Sequence, residues 1–191
     1  MIESLKNIAT LLSGIYTKSD PDGSVFYVQV RHFDQMGRFD PNLKPELKLA
    51  GAIEKHLLQP GDILFSVKGT KNIAFLYQSE MAKAVASSVF MVIRIHDQKI
   101  LLPEYLQWIL NQPQAQIWCN KEARGTNLPS ITQVSLENFE YPVPSLQLQT
   151  KIVKTNLLMK KEKVLQNQIA TLQEYRNQQL LLKSLYSESS T

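Results

Sequence analysis

Between Gln147 and Thr191 the chain contains no glycine and no proline, although seven glycines and nine prolines are spread over the residues before it. These two residues are the strongest interrupters of a helix. Their disappearance predicts one long helix over residues 147–185, which at 1.5 Å per residue spans roughly 55–60 Å. Within it Leu158, Leu165, Ile169 and Leu172 recur at steps of seven, four and three, the spacing of a coiled-coil seam. Ile152 precedes them, and Tyr175, Leu181, Leu182 and Leu185 follow in imperfect phase. Leu157, Val164 and Leu180 widen the stripe. A preceding domain of about 146 residues cannot cover so long an apolar surface. The stripe asks for a second helix, from a partner or from a second copy. Leu158, Leu165, Ile169, Leu172 and Leu182 are the expected dimerisation residues of a coiled coil. The expected organisation is a domain over 1–146 and a spacer helix with a short tail over 147–191.

The first region reads as α+β, a mixed β-sheet with short helices. Ile2–Leu12 has the pattern of a short helix stopped by Gly14. Val25–Val30, Ile63–Val67 and Ile73–Tyr77 are rich in β-branched and aromatic residues and read as strands. The last two form a hairpin with a polar, basic tip. Ala84–Ile95 holds another strand or two. Pro103 and Pro113 open two helices, over 103–111 and 114–122. Residues 31–48, with Asp34, Gly37, Asp40, Pro41 and Pro45, read as loop.

Composition excludes several classes. Cys119 is alone, so there is no disulfide scaffold and no multi-cysteine zinc site, and a reducing cytoplasm is the expected location. The N-terminus lacks a signal-peptide core, and the most apolar run, Ala84–Ile95, is too short for a membrane span. The net charge of +4 lies wholly beyond residue 150. Residues 1–150 hold 14 Lys and Arg against 14 Asp and Glu, whereas 151–191 hold 7 against 3. Any anion-binding face on the larger region must therefore be local.

Catalytic constellations are scarce. There is no glycine-rich phosphate loop. His32, His56 and His96 stand on separate segments without metal-ligand spacing. Cys119 sits among apolar residues and reads as a buried thiol. Pro21-Asp22 followed by Glu46-Leu47-Lys48 matches the loose pattern of a small Mg-dependent nuclease, but both pieces lie in turn-like stretches where that chemistry needs rigid strands. The expectation is no catalytic residue, no metal and no cofactor.

Local basic turns point to DNA. Lys68, Thr70, Lys71 and Asn72 fall on one turn around Gly69, and Arg124, Thr126 and Asn127 on another around Gly125. Arg31 and Arg38, with Gln35, form a third polar loop. Lysine, threonine and backbone N–H groups suit phosphates, whereas arginine and asparagine also suit guanine and adenine edges. These residues, Gln35 and the glycines aside, are the expected DNA-binding set. The alternatives are a small Mg-dependent nuclease and a coiled-coil adaptor that reads no DNA.

The order of motifs carries a resemblance. Gly61-Asp62-Ile63-Leu64 with Gly69-Thr70, then Pro103-Glu104-Tyr105-Leu106, Gly125-Thr126 running into Ile131, Leu136–Ser145, and Gln149–Val153 resemble, in sequence, the segments of type I restriction–modification specificity subunits. Leu5–Ile8 and Gly14 fit as well. The family's subunit carries two recognition domains separated by long helices, so this chain resembles a half subunit. The resemblance implies a DNA target-recognition domain with no chemistry of its own. It also implies double-stranded DNA, a methyltransferase subunit and a restriction subunit as partners. The leucine stripe supplies the expected homodimer, an antiparallel coiled coil that sets two domains on a bipartite site whose gap is fixed by helix length.

Overall fold

A computed structural model describes residues 1–18, 20, 23–34, 39, 43–49, 51–69, 71–78, 83–125 and 128–188. It divides into two units, Met1–Thr150 and Lys151–Thr191. Among the described residues no helix is long and apolar enough to cross a membrane.

The first unit is built on a four-stranded antiparallel sheet. β2 (Ala9–Ser13), β7 (Phe90–Ile95), β4 (Ile63–Ser66) and β5 (Ala74–Leu76) lie in the spatial order β2-β7-β4-β5. The β4–β5 hairpin pairs Ile63 with Leu76 and Phe65 with Ala74. All four residues of β4 are buried, as a continuous apolar run covered on both faces should be. Parallel pairing occurs in a separate two-stranded sheet, β3 (Phe26–Val28) against β6 (Ala84–Ala86). A third sheet pairs β1 (Ile2–Ser4) with β8 (Glu140–Pro142). The mixed character expected of one sheet is thus distributed over three.

The expected helix over Ile2–Leu12 is corrected. Only α1 (Leu5–Ile8) is helical, between β1 and β2. Ala9 and Leu11 turn inward while Thr10 stays exposed, so a period of two replaces the helical period. The apolar β7 offers five partner positions to Ala9–Ser13, and that pairing outweighs local helix propensity. Beyond β3 a 3₁₀ turn covers Val30–His32, and a short helix, α2, covers Gly51–Glu54.

The core lies on both faces of the central sheet. On one, Leu64, Phe75, Phe90 and Val92 pack with Val28, Ala84 and Ala86, and Phe33 stacks on Phe75 at a ring separation of 3.9 Å. α3 (Pro103–Leu110) buries Tyr105, Leu106, Ile109 and Leu110 and packs against β5. α4 (Pro113–Glu122) follows and buries Ala115 and Cys119. Burial pushes the Cys119 thiol up to about 12, so it stays protonated and unreactive at neutral pH. The exposed edge of β5 is closed by an amide: Ala74 N–H donates to Asn111 Oδ1 (3.0 Å), and Asn111 Nδ2 donates to Ala74 O (2.9 Å). One side chain thereby supplies the bonds a further strand would make.

α5 (Gln133–Glu137), capped by Thr132, leads to β8 and then to α6 (Leu146–Glu188). The first turn of α6 belongs to the first unit. There Gln149 is fully buried. Its Oε1 accepts from Leu102 N–H (2.9 Å), and its Nε2 donates to Ile100 O (2.9 Å) and Pro144 O (2.8 Å). The rest of α6 is the second unit. Leu158, Leu165, Ile169, Leu172 and Leu182 on it are between 47% and 67% exposed.

Candidate nucleic-acid interface

Two segments of the same pattern, a cation followed by Gly-Thr, lie far apart in sequence: Lys68-Gly69-Thr70 and Arg124-Gly125-Thr126. Each glycine has a left-handed backbone, φ +106° at Gly69 and +105° at Gly125, a conformation that L side chains adopt only with strain. Both cations are brought to one residue, Ser130. Lys68 pairs antiparallel with Ser130, and so does Arg124. Ile131 N–H donates to Val67 O (2.9 Å) and Gly69 N–H to Pro129 O (3.0 Å) on one side. On the other side Arg124 and Ser130 exchange both backbone bonds, each at 2.9 Å. The two basic turns are therefore strands of one short ladder, with residues 129–131 in its centre.

Lys68, Lys71 and Arg124 are exposed, and none of them makes an ion pair with a described residue. Asn72 is corrected: it is 5% exposed and turned inward. Its Nδ2 donates to Ser66 O (2.7 Å), and its own carbonyl accepts from Gln116 Nε2 (2.7 Å). Ser66 Oγ donates to Lys71 O (3.1 Å) and accepts from Ile73 N–H (2.7 Å). The side-chain amide of Asn72 therefore clasps the hairpin loop that presents Lys68 and Lys71 from the buried side. Arg31 is exposed on the 3₁₀ turn and donates from Nε to His32 Nε2 (3.2 Å). That turn is held to the core through Phe33. Arg38, Thr70, Thr126 and Asn127 lie outside the described residues, as does Gln35.

Ser130, Ser66 and Gln116 were not legible as site residues. Their roles come from backbone pairing and from one helix amide, and no local composition marks either. The nuclease pattern gains nothing: Lys48 is paired with Asp20 at 3.0 Å, and Asp22 lies outside the described residues. Among the described residues no three His, Cys, Asp or Glu side chains group to hold a metal.

A family model described as the type I restriction modification DNA specificity domain matches residues 18–174. No curated protein sequence matches the chain. Solved structures that share its fold include the following three. The S subunit of the type I restriction–modification system from M. genitalium superposes with a TM-score of 0.58 at 14% identity, over 84% of this chain and 39% of that one. The HsdS subunit from Thermoanaerobacter tengcongensis gives 0.62 at 16% identity, over 85% and 37%. A chain from a structure on complex assembly and conformational transition of the type I R-M system gives 0.60 at 16%, over 85% and 38%. The chain thus spans less than two fifths of the length of each.

Proposed function

Because the chain belongs to the type I restriction modification DNA specificity domain family, we propose that it reads the sequence of duplex DNA and carries no catalysis of its own. Lys68, Lys71 and Arg124 face the DNA, and Arg31 adds a contact from a second segment. One observation carries the reading: two basic turns, distant in sequence, are joined through Ser130 into a single cationic patch whose cations pair with no described carboxylate. Convergence of that kind is what a nucleic-acid face requires, and net charge alone does not supply it.

A methyltransferase subunit and a restriction subunit are the partners that act on the DNA it selects. The exposed seam of α6 takes a second copy of the chain in antiparallel sense. Charge favours that sense. Residues 151–169 hold five lysines and one glutamate, whereas 170–188 hold Arg176 and Lys183 against Glu174 and Glu188. Parallel pairing would set the two basic halves side by side, and antiparallel pairing sets each against a neutral half.

Selection from a pool of random duplexes, with and without a methyltransferase subunit, tests the reading. The expected product is a bipartite inverted repeat. Recovery of no preferred sequence in either arm would leave only a coiled-coil adaptor.

A further inference from the structure

We infer that Lys68, Ser130 and Arg124 form a row that grips DNA backbone phosphates, with the Ser130 hydroxyl as its central member. The inference rests on the DNA-reading proposal above and assigns a role within it.

Ladder register supplies the geometry. Lys68 and Ser130 are flanked, not joined, by backbone bonds, so they form a non-hydrogen-bonded antiparallel pair. Ser130 and Arg124 exchange both bonds and form a hydrogen-bonded pair. Directly opposed residues in an antiparallel ladder project from the same face, with Cα separations of about 4.5 and 5.5 Å for the two kinds of pair. The row therefore runs cation, hydroxyl, cation over about 10 Å. The Ser130 hydroxyl makes no hydrogen bond to a described residue, and it stands between two cations that pair with no described carboxylate. Each cation precedes a glycine whose positive φ turns the chain away, leaving its side chain at the edge of the ladder.

The chemistry fits the phosphodiester backbone better than base edges. Base reading needs one planar group reaching into a groove roughly 8.5 Å deep. Here three donors of different shape stand in line on a backbone-paired base, facing what a line of repeated anionic acceptors would fill. Lysine, arginine and serine are all common phosphate donors, and such contacts fix register without reading sequence.

The test uses the full chain with several duplexes of unrelated sequence, each titrated across a salt series. Lys68 and Arg124 enter the ladder through their backbones, so Lys68→Ala and Arg124→Ala should melt at the wild-type temperature. Each should lower the slope of log affinity against log salt by about 0.9, with the same loss on every duplex. Ser130→Ala should weaken binding about 3–10-fold with the slope unchanged, as for one lost hydrogen bond. Ser130→Asp should weaken it further and lower the slope. If the unaltered chain binds and the lysine and arginine variants keep its slope, the row is wrong while the DNA reading stands. Relaxed preference at one base position in Arg124→Ala would also overturn it, by making Arg124 a base reader. Absence of DNA binding by the unaltered chain overturns both.

Discussion

A carboxylate buried as deeply as that of Asp62, at 1% exposure, is tolerable only when its charge is met. Arg94 meets it with two bonds, Nε to Oδ1 at 2.8 Å and Nη2 to Oδ2 at 2.7 Å, and Gln59 N–H adds a third at 2.8 Å. The bond to Asp62 raises the Arg94 pKa, which keeps the guanidinium charged throughout the accessible range. The pair ties the turn before β4 to the end of β7. Asp62→Ala should cost about 3 kcal/mol, the low end for breaking a buried pair, because Arg94 retains partial access to water. Urea unfolding measures this, and a loss below about 1 kcal/mol would show that the pair is replaceable by solvent. The Gly-Asp of this turn stands out in the sequence, but its arginine is 32 positions away and nothing local marks it. Asn72 makes the same point in reverse. Its polarity and its place in a turn were visible, whereas its inward direction depended on Ser66 and Gln116.

At the scale of elements, α6 was the most legible and α1 the least. The absence of glycine and proline sets the length of α6 whatever surrounds it. The first twelve residues have helical spacing, yet most of them pair as strands because β7 and β8 offer partners. On α6 two charges interrupt the apolar seam at equal distances from Ile169: Glu162 seven residues before it and Arg176 seven after. In a parallel pair each would meet its own like charge. In an antiparallel pair centred near Ile169, Glu162 approaches the partner's Arg176, twice by symmetry. Glu162→Arg or Arg176→Glu alone should then weaken self-association by about tenfold, and the double exchange should restore it. Sedimentation of the four proteins measures this. Single variants that associate like the unaltered chain would remove the antiparallel register.

For the whole molecule, the seam predicts a particle of twice 21.8 kDa by light scattering at micromolar concentration. A long two-helix seam at about 25 cal/mol per Å² contributes several kcal/mol after ordering costs. A strict monomer would transfer the seam to a different partner and remove the two-fold target. The sequence by itself determined the long helix, the β4–β5 hairpin and α3 and α4, because periodicity, glycine and proline act over a few residues. It also carried the family resemblance through an ordered set of short motifs. Only the tertiary structure decided that Lys68 and Arg124 meet at Ser130, that Asn72 turns inward, and that the N-terminal segment pairs as strands. Those outcomes depend on hydrogen bonds and burial between segments many residues apart, and pairing energy of that kind is written into no local stretch of chain.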